Sequence, residues 1–293
     1  MVVVTVVGGA GRMGAWFGTF FKESNYQVVI CDRNKSVART VARKRNLRFA
    51  EDQKRAIRSS QIIVLATPTQ ATRKILNQVS EFLAPESLVV EISSVKEPLR
   101  RILQRLRKRG VPILSIHPMF GPGAKTLKGR TVLATSIPSR NIHARRILSL
   151  FRKRGAKVIL CSIKEHEALM SALLTLPHFL NLVMVNTLRV MRFDPDRLRE
   201  LSGTTFRLQL LIAEAISQEN LENEASIFID NSQSMKVLQK YIRQCNAALS
   251  MLKKGKRNRI IRHLRSSRRF LERDRTFSTT YERFNAAVAM SAE

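Results

Sequence analysis

The sequence predicts an α/β fold: an N-terminal doubly wound, Rossmann-type parallel sheet followed by an all-α C-terminal domain. Three observations carry that prediction. Short β-rich runs alternate with amphipathic helical stretches over roughly the first 160 residues. A glycine-rich turn directly follows the first run. Beyond residue 162 the pattern becomes helical and glycine almost disappears.

The elements can be justified in chain order. Residues 2–7, 27–32, 61–66, 88–92, 111–116, 130–135 and 157–161 are short runs rich in Val, Ile and Leu. Strands buried on both faces of a parallel sheet have this near-continuous apolar character. Between most of them lie amphipathic basic segments, among them 35–45, 69–83 and 98–109, which suit the crossover helices. After the last run, residues 165–191, 206–219, 221–252 and 257–273 read as helices. The expected division is therefore 1–162 for the sheet domain and 163–293 for the helical domain. No internal repeat is visible.

Composition narrows the function classes. The 293 residues are 44% hydrophobic and 25% charged, ordinary for a soluble globular protein of about two domains. The charge is not ordinary: 52 Lys and Arg against 22 Asp and Glu give a net +30. The excess lies in the first 160 residues and in the C-terminal helices, while 161–235 hold more acidic than basic residues. A spread excess reads as a solvated surface, and specific nucleic-acid binding would need aromatic platforms that a 6% aromatic chain provides sparingly. A basic nucleic-acid-binding protein on the same fold remains the reading from a different class. Three widely spaced cysteines, Cys31, Cys161 and Cys245, suggest free thiols in a reducing compartment, so a cytoplasmic location is expected. No cluster suggests a metal site. The run 168–188 has no charged residue and the length of a membrane-spanning helix. It also carries Ser171, Thr175, His178, Asn181 and Asn186, which favours a helix covered by protein, within the domain or at a dimer interface. No membrane insertion is expected.

The turn Gly9-Ala10-Gly11-Arg12-Met13-Gly14 is a G-x-G-x-x-G motif between a strand and a helix. The first glycine is expected to make the tight turn, the second to admit a pyrophosphate against the backbone, and the third to let the helix pack close to the strand. Asp32 ends the second strand, where its carboxylate would accept hydrogen bonds from the adenine-ribose hydroxyls and repel a 2′-phosphate. NAD is therefore expected over NADP, with Arg33 a neighbour able to lie over adenine or pair with a phosphate. Thr67-Pro68, Ser93 to Lys96 and His117-Pro118 follow three further strands. Ligands of open α/β sheets bind at the carboxyl ends of strands, so these clusters should converge on one crevice.

Taken together, the GGAGRMG turn, SSVK at 93–96, HPMFGP at 117–122, HEALMSALLTLPHF at 166–179 and ELSGTTFRL at 200–208 resemble the prephenate dehydrogenase family of tyrosine biosynthesis. The resemblance spans roughly residues 3–275. It implies the monofunctional form, since no chorismate mutase segment precedes the first strand and no regulatory domain follows. It also implies oxidative decarboxylation of prephenate to 4-hydroxyphenylpyruvate with hydride transfer to NAD. Arogenate, which carries an amino acid tail in place of the keto acid, is the alternative substrate. By the same resemblance, His117 accepts the substrate hydroxyl proton, Ser94 holds the histidine or that hydroxyl, and Lys96 stands nearby. Arg207 binds a substrate carboxylate, a task suited to its planar fork. His178 is implied as a second substrate-side histidine, and a homodimer joined through the helical domain is expected.

Overall fold

The computed structural model describes residues 1–84, 86–138 and 140–290. In chain order the elements are β1 (Val3–Val7), α1 (Arg12–Lys22), β2 (Gln27–Cys31), α2 (Lys35–Arg45), β3 (Arg48–Phe49), α3 (Gln53–Arg58), β4 (Ile62–Leu65) and α4 (Thr69–Gln78). There follow β5 (Leu88–Glu91), α5 (Arg100–Lys108), β6 (Ile113–Pro118), β7 (Thr131–Ser136), α6 (Ile142–Lys153), β8 (Lys157–Leu160) and α7 (Ile163–Met170). The rest is helical: α8 (Leu176–Val190), α9 (Pro195–Leu201), α10 (Thr204–Ser217), α11 (Leu221–Ile229), α12 (Ser234–Lys253), α13 (Arg257–Leu271) and α14 (Thr280–Met290).

The sheet has the order β3-β2-β1-β4-β5-β6-β7-β8. Strand order reverses between β1 and β4, and that reversal opens the crevice in which doubly wound folds bind ligands. Both faces are covered. Val4, Val6, Ile30, Val64 and Leu114 pack with Phe17, Phe20 and Phe21 of α1 and with Phe151 of α6 on one side. Val7, Ile63, Leu65 and Val89 pack with Leu76 of α4 and Leu103 and Leu106 of α5 on the other. Burial on both faces is why these strands are apolar throughout rather than alternating.

The sheet departs from the all-parallel expectation at one place. β7 runs antiparallel to β6, and β8 pairs parallel with β7. The chain between Pro118 and Thr131 contains no helix, so no crossover returns β7 to the parallel direction. A register shift between Ser115 and Ile116 accompanies the change. His117, expected just after its strand, is inside β6. The expected helix over 221–252 is broken at 230–233 into α11 and α12.

Two compact units divide the chain. The first comprises Met1–Met170 with Ala225–Ser232, and the second comprises Ser171–Glu224 with Gln233–Glu293. The first unit thus keeps α7, beyond the boundary expected at 162, because buried His166 and Glu167 bond into the sheet's carboxyl end. Its returning segment is tied on by Asn231 Nδ2, which donates to the Glu167 carbonyl at 2.9 Å, and by Gln70 Nε2, which donates to Asp230 at 3.2 Å. Residues Ser171–Thr175, at the division, form a π-helical turn. The stretch Ile163–Val190 is long and apolar enough, by length and composition, to cross a membrane. In the second unit, α8 and α10 are linked by Gln209 Nε2 donating to Asn181 Oδ1 at 2.7 Å.

Candidate active site

The dinucleotide turn begins one residue earlier than the motif suggested. Gly8, with φ +83°, makes the tight turn, and a Cβ there would strike the Ala66 carbonyl and Thr67. The amides of Gly8 and Gly9 both donate to the Cys31 carbonyl, at 3.0 and 3.1 Å, which pins β1 to β2. A Cβ on Gly9 would meet Ile30, and one on Gly14 would meet the Gly8 carbonyl oxygen. Gly11 stands at the N-cap of α1 and makes no side-chain cap hydrogen bond. Pro68 leaves the start of α4 equally uncapped, next to Thr67. Helix starts of this kind favour phosphate. Asp32 Oδ2 accepts from the Ala10 amide at 3.1 Å and Oδ1 from the Asn34 amide at 3.0 Å. Each oxygen has a further lone pair for a ribose hydroxyl. Arg33 is exposed beside it. The cradle without side chains, the open helix starts and the anchored carboxylate fit a dinucleotide.

A connected polar cluster lies at the carboxyl ends of β5 and β6. His117 is 5% exposed, and its Nδ1 is 3.0 Å from His166 Nε2. His166 Nδ1 is 2.8 Å from Glu167 Oε1, which also accepts the Lys96 amide at 2.8 Å. Burial holds the His117 imidazole well below the usual histidine range, and its neighbours His166 and Lys96 push the same way. The imidazole is therefore neutral at neutral pH. Among the described residues, Glu167 Oε2 and Ser93 Oγ are buried without a hydrogen-bond partner.

Lys96, expected beside the reacting groups, is fully enclosed. Its Nζ donates to Glu91 Oε1 at 2.6 Å and to the Ile116 carbonyl at 2.7 Å. Burial lowers its pKa, opposed by the Glu91 carboxylate. Glu91 also accepts from the Ser93 amide at 3.0 Å and from the Ser115 hydroxyl. Lys96 thus ties β5 to β6 and aligns the strand that carries His117; its ammonium is spent on protein groups. Ser94, expected to hold His117 or the substrate hydroxyl, is half-buried, and the hydrogen bond at His117 Nδ1 is to His166.

His178 and Arg207 belong to the second unit. His178 Nδ1 is 2.7 Å from Glu224 Oε2, both partly buried. Arg207 is in the first turn of α10, half-buried, with no side-chain partner among the described residues. The acids nearest in sequence are taken: Glu200 pairs with Arg197 at 2.7 Å and Glu214 with Arg199. Its guanidinium is thus available to an anion.

Sequence reasoning missed Gly8, Glu91, His166, Glu167 and Glu224. A signal existed for most of them. Gly8 doubles the first motif glycine, Glu91 is an acid inside an apolar strand, and His166-Glu167 stands at the head of the uncharged run. Glu224 had none, since it lies far from His178 in sequence.

The nucleotide-binding domain of prephenate dehydrogenase matches residues 17–160, and the prephenate dehydrogenase dimerization domain matches 162–266. A Methanocaldococcus jannaschii protein described as a probable arogenate/prephenate dehydrogenase is 23% identical over 91% of this chain and 60% of its own length. The T-protein of Haemophilus influenzae is 23% identical over 88% of this chain and 64% of its own. The chain therefore spans a little under two thirds of the length of these relatives. Among solved structures, Aquifex aeolicus prephenate dehydrogenase in complex with hydroxyphenyl propionate and NAD+ superposes with a TM-score of 0.75. Identity there is 19%, over 94% of this chain and 99% of the other. Synechocystis arogenate dehydrogenase gives a TM-score of 0.66 at 18% identity, over 93% and 99%.

Proposed function

The chain belongs to the prephenate dehydrogenase family, and on that premise we propose that it catalyses the NAD-dependent oxidative decarboxylation of prephenate to 4-hydroxyphenylpyruvate. His117 carries the reading. It is a buried, neutral imidazole at the carboxyl end of β6, in the same compact unit as the dinucleotide turn. A bound dinucleotide supplies the oxidised nicotinamide ring that accepts hydride. Gly9, Gly11, Arg12, Met13 and Gly14 would hold its pyrophosphate, Asp32 its ribose, and Arg33, Thr67 and Pro68 the edges of the crevice. The Asp32 carboxylate supports NAD over NADP, because it would repel a 2′-phosphate.

The remaining chemistry asks little of the protein. Loss of the ring carboxylate as CO2 aromatises the substrate, which drives the reaction. The chain must orient the substrate and accept the hydroxyl proton as the carbon–oxygen bond gains carbonyl character. The neutral His117 imidazole suits that acceptor role. Ser94, half-buried ahead of Val95, is assigned to the substrate hydroxyl, and Arg207 and His178 to its carboxylates. A homodimer through the helical unit completes the reading. Leu182, Val183, Val190, Ile212, Leu249 and Leu252 are all exposed in the single chain, apolar surface that a second copy would cover. Free thiols at Cys31, Cys161 and Cys245 agree with a cytoplasmic setting.

The test is reduced-cofactor production from prephenate and from arogenate, each with NAD and with NADP. The largest kcat/KM is expected for prephenate with NAD. A larger value for arogenate transfers the assignment to that substrate, and no turnover with either removes it. Sedimentation at micromolar concentration should show a dimer.

A further inference from the structure

We propose that His166 and Glu167 form a positioning relay that fixes the tautomer of His117 and leaves its Nε2 as the bare, proton-accepting nitrogen. This rests on the assignment of His117 as the proton acceptor and adds the groups that set it up. The argument starts from Glu167. Its carboxylate oxygen Oε1 accepts, so His166 Nδ1, 2.8 Å away, must donate. The relay takes His166 as the neutral imidazole, whose other nitrogen is then an acceptor. His166 Nε2 therefore accepts from His117 Nδ1 at 3.0 Å, which must carry its proton. By the same rule His117 Nε2 carries a lone pair, and it has no partner among the described residues.

The anchoring of each member supports a positional role. Glu167 Oε1 is fixed by the Lys96 amide, and the Glu167 carbonyl by Asn231. His166 is fully buried, and the His117 and His166 rings are tilted at 57° with centroids 5.2 Å apart. Neither His166 nor Glu167 is assigned to substrate or cofactor. They act through His117, in the way that an acid behind a catalytic histidine sets its tautomer. The relay also stabilises positive charge: when His117 takes a proton, the Glu167 carboxylate lies one ring away.

The charged and titratable groups around His117 can be named by element. His166 and Glu167 come from α7, Lys96 from the loop after β5, Glu91 from β5 behind Lys96, and Cys161 from the end of β8. β7 presents Leu133 opposite His117. Of these, only Glu167 is a carboxylate linked to His117 through a hydrogen-bonded ring.

The test combines two readouts on the full chain. Long-range proton–nitrogen NMR of 15N-histidine-labelled protein reports each tautomer, and the chain has only 5 histidines to assign. His117 should be protonated at Nδ1 and bare at Nε2, and this preference should be lost in His166→Leu. In kinetics, His166→Leu should lower kcat by roughly ten- to a hundredfold, by analogy with the loss on removing the group that orients a metal-ligating histidine. His166→Gln, whose amide oxygen can still accept from His117, should recover most of that loss. Glu167→Gln should shift the acidic limb of the kcat profile to lower pH, because the proton on His117 loses its compensating carboxylate. The KM for NAD should not change in any of them. A purely structural role would lower the melting temperature of all three without moving the limb or separating Gln from Leu. The proposal is overturned if wild-type His117 is protonated at Nε2, or if folded Glu167→Gln keeps both its kcat and its acidic limb. Should the wild type oxidise neither prephenate nor arogenate, the proposed function fails while the NMR arm still decides the tautomer.

Discussion

Lys96 Nζ and Glu91 Oε1 are 2.6 Å apart in a place where neither side chain is exposed to solvent. Breaking a buried pair from one side strands a charge, which costs about 3–5 kcal/mol. Lys96→Met should therefore lower stability by that amount in urea denaturation. Adding Glu91→Leu should restore more than half of it, because no lone carboxylate then remains. A double variant no more stable than Lys96→Met would show that the hydrogen bonds from Ser93 and Ser115, rather than the charge, carry the effect.

His117→Asn should leave cofactor binding intact and reduce kcat by about two to four decades, the range for loss of a general base. Near-normal turnover in this variant would take His117 out of the reaction. Calorimetric titration with NAD supplies the binding control.

The same histidine should show in stability against pH. Its folded-state pKa is depressed by burial, so below about pH 6.5 the unfolded chain binds a proton that the folded chain refuses. Stability is thus undiminished above that value and falls as the pH drops through it, with a limiting slope of about 1.4 kcal/mol per pH unit for one group. Urea midpoints at pH 7.5 and 5.5 should differ less for His117→Asn than for the wild type. An equal difference would mean that His117 is protonated in the fold.

Gly14→Ala and Gly11→Ala should separate packing from phosphate access. A Cβ on Gly14 runs into the Gly8 carbonyl and Gly9, all backbone, so nothing nearby can give way. On Gly11 it meets only the Gly8 oxygen at 3.2 Å, a tight but tolerable contact. Gly14→Ala should lose both melting temperature and NAD affinity, while Gly11→Ala should keep the fold and lose affinity alone. Equal melting temperatures would contradict the crowding at Gly14.

Arg207→Gln should raise KM for prephenate by roughly ten- to a hundredfold, from a charge-assisted contact of about 1.5–3 kcal/mol. The KM for NAD should hold, and Arg207→Lys should rescue in part because an ammonium lacks the fork. With Glu200 and Glu214 paired to other arginines, the melting temperature should barely change. A lower melting temperature with unchanged KM would make Arg207 structural.

The parts of this molecule legible in the sequence are those with local causes. The apolar runs of β1, β4 and β5 need two covered faces, and the GGAGRMG turn needs a strand before it and a helix after it. Asn34, accepting the Val37 amide at 3.2 Å, starts α2 at the residue where the basic segment was expected to begin. What was not legible depends on contacts distant in sequence. The direction of β7 depends on the missing crossover after Pro118, and the partner of His117 is 49 residues away on α7. Lys96 was expected beside the reacting groups because it follows the carboxyl end of a strand, and only the location of Glu91 reveals that it is enclosed.

The return of residues 225–232 to the first unit has a genealogical consequence. The chain passes between the units three times, after Met170, after Glu224 and after Ser232. A single recombination joint therefore cannot exchange the second unit between relatives while leaving the first whole: placed after Met170 it separates Asn231 from the Glu167 carbonyl, and placed at 162 it separates His166 from His117. Inheritance should treat α7 and 225–232 as one linked block with the strands they close, and chimeras joined at residue 162 or 170 should fold worse than chimeras that keep 163–170 and 225–232 from the parent that supplies the sheet.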